Sequence, residues 1–515
     1  MSKVRKHIEL FAGCGGMAIG MESAGFELTF ANEVSPMASN TFAHNVLGVD
    51  IHEQSEKVKW IHSRYSREQY ENRLRENLLS HKADENCEII NDPKLSTLEK
   101  CLLVGDVRHL RDRFAEIGVS DPYNGNLDLI SGGPPCQSFS LAGKRELNNY
   151  KNSLPLDFAE ICEMLNPKVV LLENVKGILS AFTENGAKYY AWFEVAKAFA
   201  MKGFAPVCML INSKYFGVAQ NRPRYIMLAF RLDIFQKISI EYKDNEIIKN
   251  VNEFVAKVQK NKKLQVADLK YYDIEKSTDL FNGEILPEPS SFDKESWYSV
   301  FDAIDDLISK GDHEKSGYIH RINTLFRTKS EQTQGLQNHN TRNHTGKIKD
   351  RFLFYQILNH INGQKEVILK EKKNGRVISS KLIKDIYNEL RNSKHELSKI
   401  FKSGKQFEEF INSVELTKKH SQRALIKGNP SPAQLTIPDD ICHYSPYENR
   451  VLTVREMARI QSFPDSFVFR SKETTGGKNR SYEVPQYTQV GNAVPPKMAY
   501  HLGEHIVNLL DKIRS

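Results

Sequence analysis

The sequence predicts an α/β fold, a mostly parallel sheet with helices on both faces and a smaller lobe inserted toward the carboxyl end. Three observations predict it. Short apolar runs alternate with helix-like segments over about the first 235 residues. A glycine loop, Phe11-Ala12-Gly13-Cys14-Gly15-Gly16, joins the first such run to the first helical stretch. Dense motifs lapse over 236–445 and resume over 446–515, so the chain's end is expected to complete the domain that its start begins.

Ile8-Glu9-Leu10-Phe11 reads as a short strand, and the helix-like run after the glycine loop stops at Gly25. Leu28 to Glu33, Leu102 to Val104 and Leu127 to Ile130 are further strands. Leu156 to Leu165 has helical spacing and ends at Asn166-Pro167, since proline disfavours helix in the residue before it. Lys168-Val169-Val170-Leu171-Leu172 is apolar without alternation, as expected of a strand covered on both faces. Val207 to Ile211 and Tyr225 to Phe230 form a late hairpin pair. Residues 51–100 interrupt the pattern with charged segments such as Ser66 to Arg75, expected to be a surface insertion with helical character. In the lobe expected over 236–445, Leu382, Ile386, Leu390, Leu397 and Ile400 recur at helical spacing within a lysine-rich stretch. The catalytic domain is therefore expected over 1–235, completed by 446–515.

The 515 residues are 40% hydrophobic and 26% charged, the composition of a globular protein. No apolar run approaches the ~18 residues of a membrane span, and the start has no signal-peptide apolar region, so a cytoplasmic protein is expected. Seven scattered cysteines form no C-x-x-C pair, which argues against a disulfide framework or a zinc site; no metal is expected. A net charge of +8 is compatible with a polyanionic partner.

The chemistry concentrates in Gly132-Gly133-Pro134-Pro135-Cys136-Gln137, directly after a strand. Ligands of open α/β sheets sit at that strand end, and two prolines hold a thiol in one place. A buried structural cysteine would look similar. The glycine loop lets a ligand approach backbone at a helix N-terminus. Glu33, 20 residues past Gly13 at the end of the next strand, can accept from ribose hydroxyls, and Asp106, after Leu102 to Val104, can accept from an adenine amino group. This arrangement suits adenosine without a pyrophosphate. Helix capping or turn chemistry would use the same two carboxylates.

Together these residues resemble the cytosine-C5 DNA methyltransferases, in order along the chain. Phe11, Ala12, Gly13, Gly15 and Gly16 match the family's F-x-G-x-G-G loop for S-adenosylmethionine. Gly133-Pro134-Pro135-Cys136-Gln137 matches its nucleophile loop, Glu173-Asn174-Val175 its E-N-V motif and Gln220-Asn221-Arg222-Pro223-Arg224 its Q-x-R-x-R. Arg450 to Asp465 resembles the motif before the last elements, and Gln489 to Pro496, with Asn492, the final cofactor motif. The resemblance covers about 7–50, 101–235 and 446–510, and the lobe between takes the place of the target-recognition domain.

The resemblance implies an S-adenosylmethionine-dependent methyltransferase with a Rossmann-like sheet. It transfers a methyl group to C5 of a flipped-out cytosine in a short specific duplex DNA site, and releases S-adenosylhomocysteine. Cys136 is the expected nucleophile at C6, and Glu173 the partner of N3 and the exocyclic amine. Arg222 and Arg224 are expected to hold O2 and the phosphates, and Asn174 to brace the Pro-Pro-Cys loop. Glu33, Asp106, Pro134 and Asn492 join the glycine loop as cofactor residues. As structural alternatives, Glu173 could be a strand-end carboxylate paired to an arginine, and Arg222 and Arg224 ion-pair residues. Gln137 and Ser138 are candidates to fill the gap left by the flipped base. The expected partners are double-stranded DNA and, functionally, a restriction endonuclease, for a monomer associated with the bacterial nucleoid through DNA. Two other readings stay open. One is methylation of transfer RNA, against which the C-F-T signature of the RNA-methylating relatives is absent; the other is a catalytically silent DNA-binding regulator. Pro-Pro-Cys argues against amino-methylating enzymes, whose Pro-Pro-aromatic loop carries no thiol.

Overall fold

In the computed structural model, residues 4–51, 55–80, 90–135, 153–184, 187–310, 314–330, 335–361, 363–392, 396–417, 422–434, 436–438 and 441–513 are described. Nine strands form the central sheet. They are β1 (Arg5–Leu10), β2 (Phe26–Glu33), β3 (Val58–Trp60), β4 (Cys101–Val104), β5 (Leu129–Gly132), β6 (Val169–Val175), β7 (Phe204–Asn212), β8 (Pro223–Arg231) and β9 (Tyr271–Asp273). Their order across the sheet is β9-β7-β8-β6-β5-β1-β2-β4-β3. Only β8 runs antiparallel, between β6 and β7; the other neighbours are parallel. The expected α/β sheet is present, and the late hairpin pair is its antiparallel end.

The order reverses between β1 and β5. Chain leaving β1 crosses one way to β2, and chain leaving β4 returns to β5 on β1's other side. Loops after adjacent strands diverge there and open a crevice at the carboxyl edge. The glycine loop, Glu33, Asp106, Gly133 and the end of β6 all reach that edge. Three helices on this scaffold follow the local signals: α1 (Gly16–Ser23), α2 (Val107–Glu116, capped by Asp106) and α3 (Leu154–Leu165). Asn166 closes α3 in the left-handed region, at φ 48°, just before Pro167.

Three further helices come from the carboxyl end: α4 (Val454–Ile460), α5 (Gln486–Asn492) and α6 (Pro496–Lys512). α6 buries Met498, Leu502, Ile506, Leu509 and Leu510 in the same apolar cluster as β1, β5 and β6. It lies against α1 because both helices present glycine. A Cβ on Gly20 would stand 2.6 Å from Ala499 Cβ, and one on Gly503 2.7 Å from Ala24 Cβ. α4 opens with a capping box, in which Thr453 Oγ1 accepts from Glu456 N–H and the Glu456 carboxylate accepts from Thr453 N–H.

Two stretches sit differently from their sequence texture. The 51–100 segment is not wholly superficial. Val58–Trp60 forms the sheet's edge strand, and Trp60, Ile61 and Leu78 are buried. An edge strand of three residues needs only a short apolar alternation, which the surrounding charges hide. The change of texture near 235 is also not the edge of the main core. Ile238, Ile248, Val251, Phe254 and Leu286 join the core of the sheet, and β9 extends it. A separate apolar cluster runs from Phe352 to Val451 and includes Ile386, Leu390 and Leu397; Leu382 packs at its margin and Ile400 is exposed.

Candidate functional site

The chain leaves β1 through Phe11, held at φ 57°, and Ala12 N–H donates to Asn32 O at 3.0 Å. The ring of Phe11 meets that of Phe158 edge-on. Gly13 and Gly15 take φ of 56° and 98°, so the loop folds back before α1 starts. The loop is open at Gly13, where an added Cβ would meet none of the described residues within 4 Å. It is shut at Gly16. A Cβ on Gly16 would lie 2.4 Å from Val494 O and 3.0 Å from the ring of Phe463. The loop is therefore clamped between its own strand and the carboxyl-terminal segment.

Glu33 ends β2 and accepts from Gly13 N–H at 2.8 Å and from Ser35 N–H at 2.7 Å. Burial raises its carboxyl above the ordinary range, against the pull of those backbone donors. The neighbouring Asn32 donates to the carbonyls of Leu103 and Gly105, which ties β2 to β4 where Asp106 begins. Asp106 accepts from Arg108 N–H at 2.9 Å and pairs with the Arg108 guanidinium. Burial would raise the Asp106 carboxyl, but those bonds hold it below its usual value. Its capping role is thus present, and Arg108 takes part of the carboxylate expected to face a ligand. Two groups nearby are too buried for reactive roles. Burial and the Glu33 charge push Glu9 well up, and burial pushes the Cys14 thiol up to about 12.

On the other side of the crevice, Glu173 lies within β6 and pairs with Arg224 Nε at 2.6 Å. Register explains the pair, because Arg224 and Ile226 of β8 lie opposite Val175 and Glu173. The other carboxylate oxygen stands 3.0 Å from the position of a Cβ on Gly133, so Glu173 abuts the loop that leads to Cys136. A side chain at 133 would push the Glu173 carboxylate back. Asn174 Nδ2 donates to Pro134 O at 2.9 Å, which braces the loop as expected. Cys136, Gln137 and Ser138 lie outside the described residues.

Arg222 is buried and faces elsewhere. Its Nη2 donates to Gly491 O at 2.8 Å and Ala493 O at 3.2 Å, while its Nε has no partner among the described residues. It therefore grips the end of α5 on either side of Asn492, whose side chain is exposed. Burial, and then the adjacent Arg224, lowers the Arg222 guanidinium well below its usual range. The arrangement brings Glu173, Arg224, Gly133 and Pro134 together on one side of the crevice, and the glycine loop and Glu33 on the other; Arg222 joins the first half to the carboxyl end beside Asn492, and Gly16 joins the second at Val494.

Sequence reasoning missed Asn212. Its Oδ1 accepts from Arg222 N–H at 2.9 Å and its Nδ2 donates to Asn221, holding the chain that carries both arginines. An asparagine at a strand end was the available signal. The Arg450 to Asp465 motif proved to be a strut. Arg455 donates to the carbonyls of Gln337, Pro464 and Phe467, and Arg459 pairs with Asp306 and Asp465. Both arginines are fully buried.

Against known proteins, residues 5–65 and 103–508 match the model of a family described as C-5 cytosine-specific DNA methylase. The chain is 26% identical over 509 residues to the type II methyltransferase M.DdeI of Desulfomicrobium norvegicum, covering 97% of this chain and 88% of that protein. It is 23% identical over 507 residues to the type II methyltransferase M1.HphI of Haemophilus parahaemolyticus, covering 98% and 87%. To the type II methyltransferase M.Eco47II of Escherichia coli it is 24% identical over 511 residues, covering 98% and 79%.

Proposed function

We propose, since this chain belongs to the C-5 cytosine-specific DNA methylase family, that its crevice holds S-adenosylmethionine on one side and a flipped cytosine on the other. The protein is a DNA cytosine-C5 methyltransferase and draws its methyl group from S-adenosylmethionine. The observation that carries the assignment of residues is the convergence of Glu173, Arg224 and the braced Pro134 carbonyl beside Gly133.

The cofactor half fits the group by its chemistry. Gly13 leaves open space above a loop whose glycines expose backbone, and the Glu33 carboxylate beside it can accept from ribose hydroxyls. Phe11, Ala12, Gly15 and Gly16 shape the loop, and Asp106, Pro134 and Asn492 complete the assigned set. When bound, the group supplies an electrophilic methyl on a sulfonium, and S-adenosylhomocysteine is the product.

In the catalytic half, Cys136 adds its sulfur to C6 of the base. Addition breaks the ring's conjugation, makes C5 nucleophilic and leaves negative charge toward N3 and O2. Glu173 is assigned to N3 and the exocyclic amine, and Arg224 to O2, from which it also orients Glu173. Arg222 is assigned a positioning role: it supports Asn492 from behind through Gly491 and Ala493. The C5 proton then leaves and the cysteine is eliminated. A thiol cannot reach C6 inside a stacked duplex, so the base must leave the stack at a cost of a few kcal/mol.

Target recognition is assigned to the part of 236–445 that packs apart from the core of the sheet, with support from the apolar cluster of Phe352 to Val451. The relatives' type II names support pairing with a cognate restriction endonuclease and a cytoplasmic place of action. Among the described residues no helix is long and apolar enough to cross a membrane. The test is incubation with methyl-labelled S-adenosylmethionine and mixed-sequence duplex DNA, followed by digestion to nucleosides. Label in 5-methyldeoxycytidine is expected; label in N4-methyldeoxycytidine or in RNA alone would overturn the reading.

A further inference from the structure

We propose that Gln489 is a positioning residue for methyl transfer. Its side chain ties α5, and the catalytic half that grips α5, to the cofactor half, and so fixes the two halves at the spacing the reaction needs. The proposal rests on the functional reading above. Gln489 is buried, and its amide is bonded at both ends. Oε1 accepts from the Thr41 hydroxyl at 2.6 Å. Nε2 meets three carbonyls, Val484 O at 3.0 Å and Met37 O and Arg470 O at 3.3 Å. The Thr41 hydroxyl accepts in turn from Arg470 N–H at 2.9 Å, so its own proton is left for Oε1. An amide presents an acceptor to the hydroxyl and donors to the carbonyls at once; a carboxylate has no donor for them.

Position gives that tie its use. Thr41 and Met37 belong to the helix Pro36–Phe42, which Ser35 caps. Ser35 N–H donates to Glu33, and Glu33 also accepts from Gly13 N–H in the glycine loop. On the other side, Gln489 lies within one turn of Gly491 and Ala493, whose carbonyls Arg222 Nη2 binds. Arg224, two residues on, pairs with Glu173. Other contacts across the same joint do less. The close packing of Gly16 on Val494 limits approach but not separation. Among the described residues, the other hydrogen bond between α5 and the glycine loop, β2 or that helix runs from Cys14 Sγ to Gln489 O at 3.9 Å, and a thiol is a weak donor. The catalytic half is held without Gln489: Glu173 by Arg224, Arg222 N–H by Asn212, and Pro134 O by Asn174. Loss of the amide should therefore loosen one half against the other and leave the catalytic half formed.

The test uses the full-length protein and two readouts. When the Cys136 sulfur adds to C6, C5 takes a proton from water; loss of the original C5 hydrogen and elimination of the sulfur then restore the base. Release of tritium from mixed-sequence duplex DNA labelled at cytosine C5, with no cofactor added, therefore reads the catalytic half alone. Single-turnover methylation of the same duplex at saturating S-adenosylmethionine reads the two halves together. Gln489→Met keeps the size of the side chain and removes the amide; Thr41→Val removes the hydroxyl that Oε1 accepts from. Each should slow methyl transfer about ten- to 100-fold, the cost of misplacing reacting groups by up to about 1 Å, with tritium release within about three-fold of wild type. Thr41→Ser, which keeps the hydroxyl, should restore methyl transfer, and the double variant Q489M/T41V should be no slower than the worse single one, because the two changes break one bond. Unchanged methyl transfer in Gln489→Met and Thr41→Val would overturn the proposal. So would an equal fall in both readouts, which marks general loosening of the fold. A wild type that releases no tritium and methylates no cytosine would overturn the functional reading, and this inference with it.

Discussion

Gly13 and Gly16 occupy the same loop and should fail in opposite ways when changed to alanine. At Gly13 the new methyl group meets no atom of the described residues within 4 Å, and the cost to the fold is the left-handed backbone at φ 56°, about 1–2 kcal/mol. The methyl projects into the space assigned to S-adenosylmethionine, where an overlap of ordinary size costs about 1–3 kcal/mol of binding. Affinity should therefore fall by about five-fold to about 140-fold, since 1.4 kcal/mol is a factor of ten. At Gly16 the methyl would sit 2.4 Å from the Val494 carbonyl oxygen and 3.0 Å from the Phe463 ring. Backbone on one side and a packed core on the other leave little room to yield, so the cost should reach the upper part of the ~1–3 kcal/mol overpacking range or exceed it. Calorimetric titration with S-adenosylhomocysteine and thermal unfolding without it separate the two effects. Gly13→Ala should unfold closer to wild type and bind poorly; Gly16→Ala should unfold at a clearly lower temperature. The reverse ranking in unfolding would refute the clamp, and full affinity in Gly13→Ala would refute the placement of the cofactor.

Other outcomes follow from the same geometry. Asn174→Ala frees the Pro134 carbonyl and should lower kcat about ten-fold or more; an unchanged kcat would remove the bracing role. A duplex carrying 5-fluorocytosine should form a covalent adduct with wild type that survives denaturing electrophoresis, and none with Cys136→Ser. Arg450 donates to both oxygens of the buried Glu456 at 2.7 and 2.8 Å, so Arg450→Met should cost about 3–5 kcal/mol, read from chemical denaturation. Burial opposes ionisation of Glu456, but Arg450 overrides it and holds the carboxyl at about 2 against an ordinary 4.5. Because the folded value is the lower one, this contribution is whole above about pH 4.5 and drains away as pH falls toward about 2. The loss on Arg450→Met should shrink over the same window.

Much of the fold was legible because its signals are local. Val169 to Leu172 reads as a covered strand from four consecutive apolar side chains, and α3 ends where Asn166 can turn left-handed before a proline. The glycine loop and Glu33 were legible as a pair from their spacing, and they meet through a 2.8 Å hydrogen bond. Edge strand β3 was not, since three residues in a charged segment carry too little periodicity. Nor was the reach of the main core past 235, because helices such as Glu246–Gln259 are amphipathic in any lobe and only packing says against what.

The sequence by itself determined the order of the motifs, the family they resemble and the kinds of group available: a thiol, a carboxyl, two guanidiniums and a glycine loop. Tertiary structure decided which way the two guanidiniums face. Arg222 and Arg224 are two residues apart in one motif, yet one is turned to Gly491 and Ala493 and the other to Glu173. Both partners are set by contacts across the fold, from a carbonyl 269 positions along the chain and from the antiparallel register of β6 and β8. A motif specifies donors and acceptors, but a buried guanidinium bonds to whatever acceptors the packed chain brings within reach, and no local pattern records those.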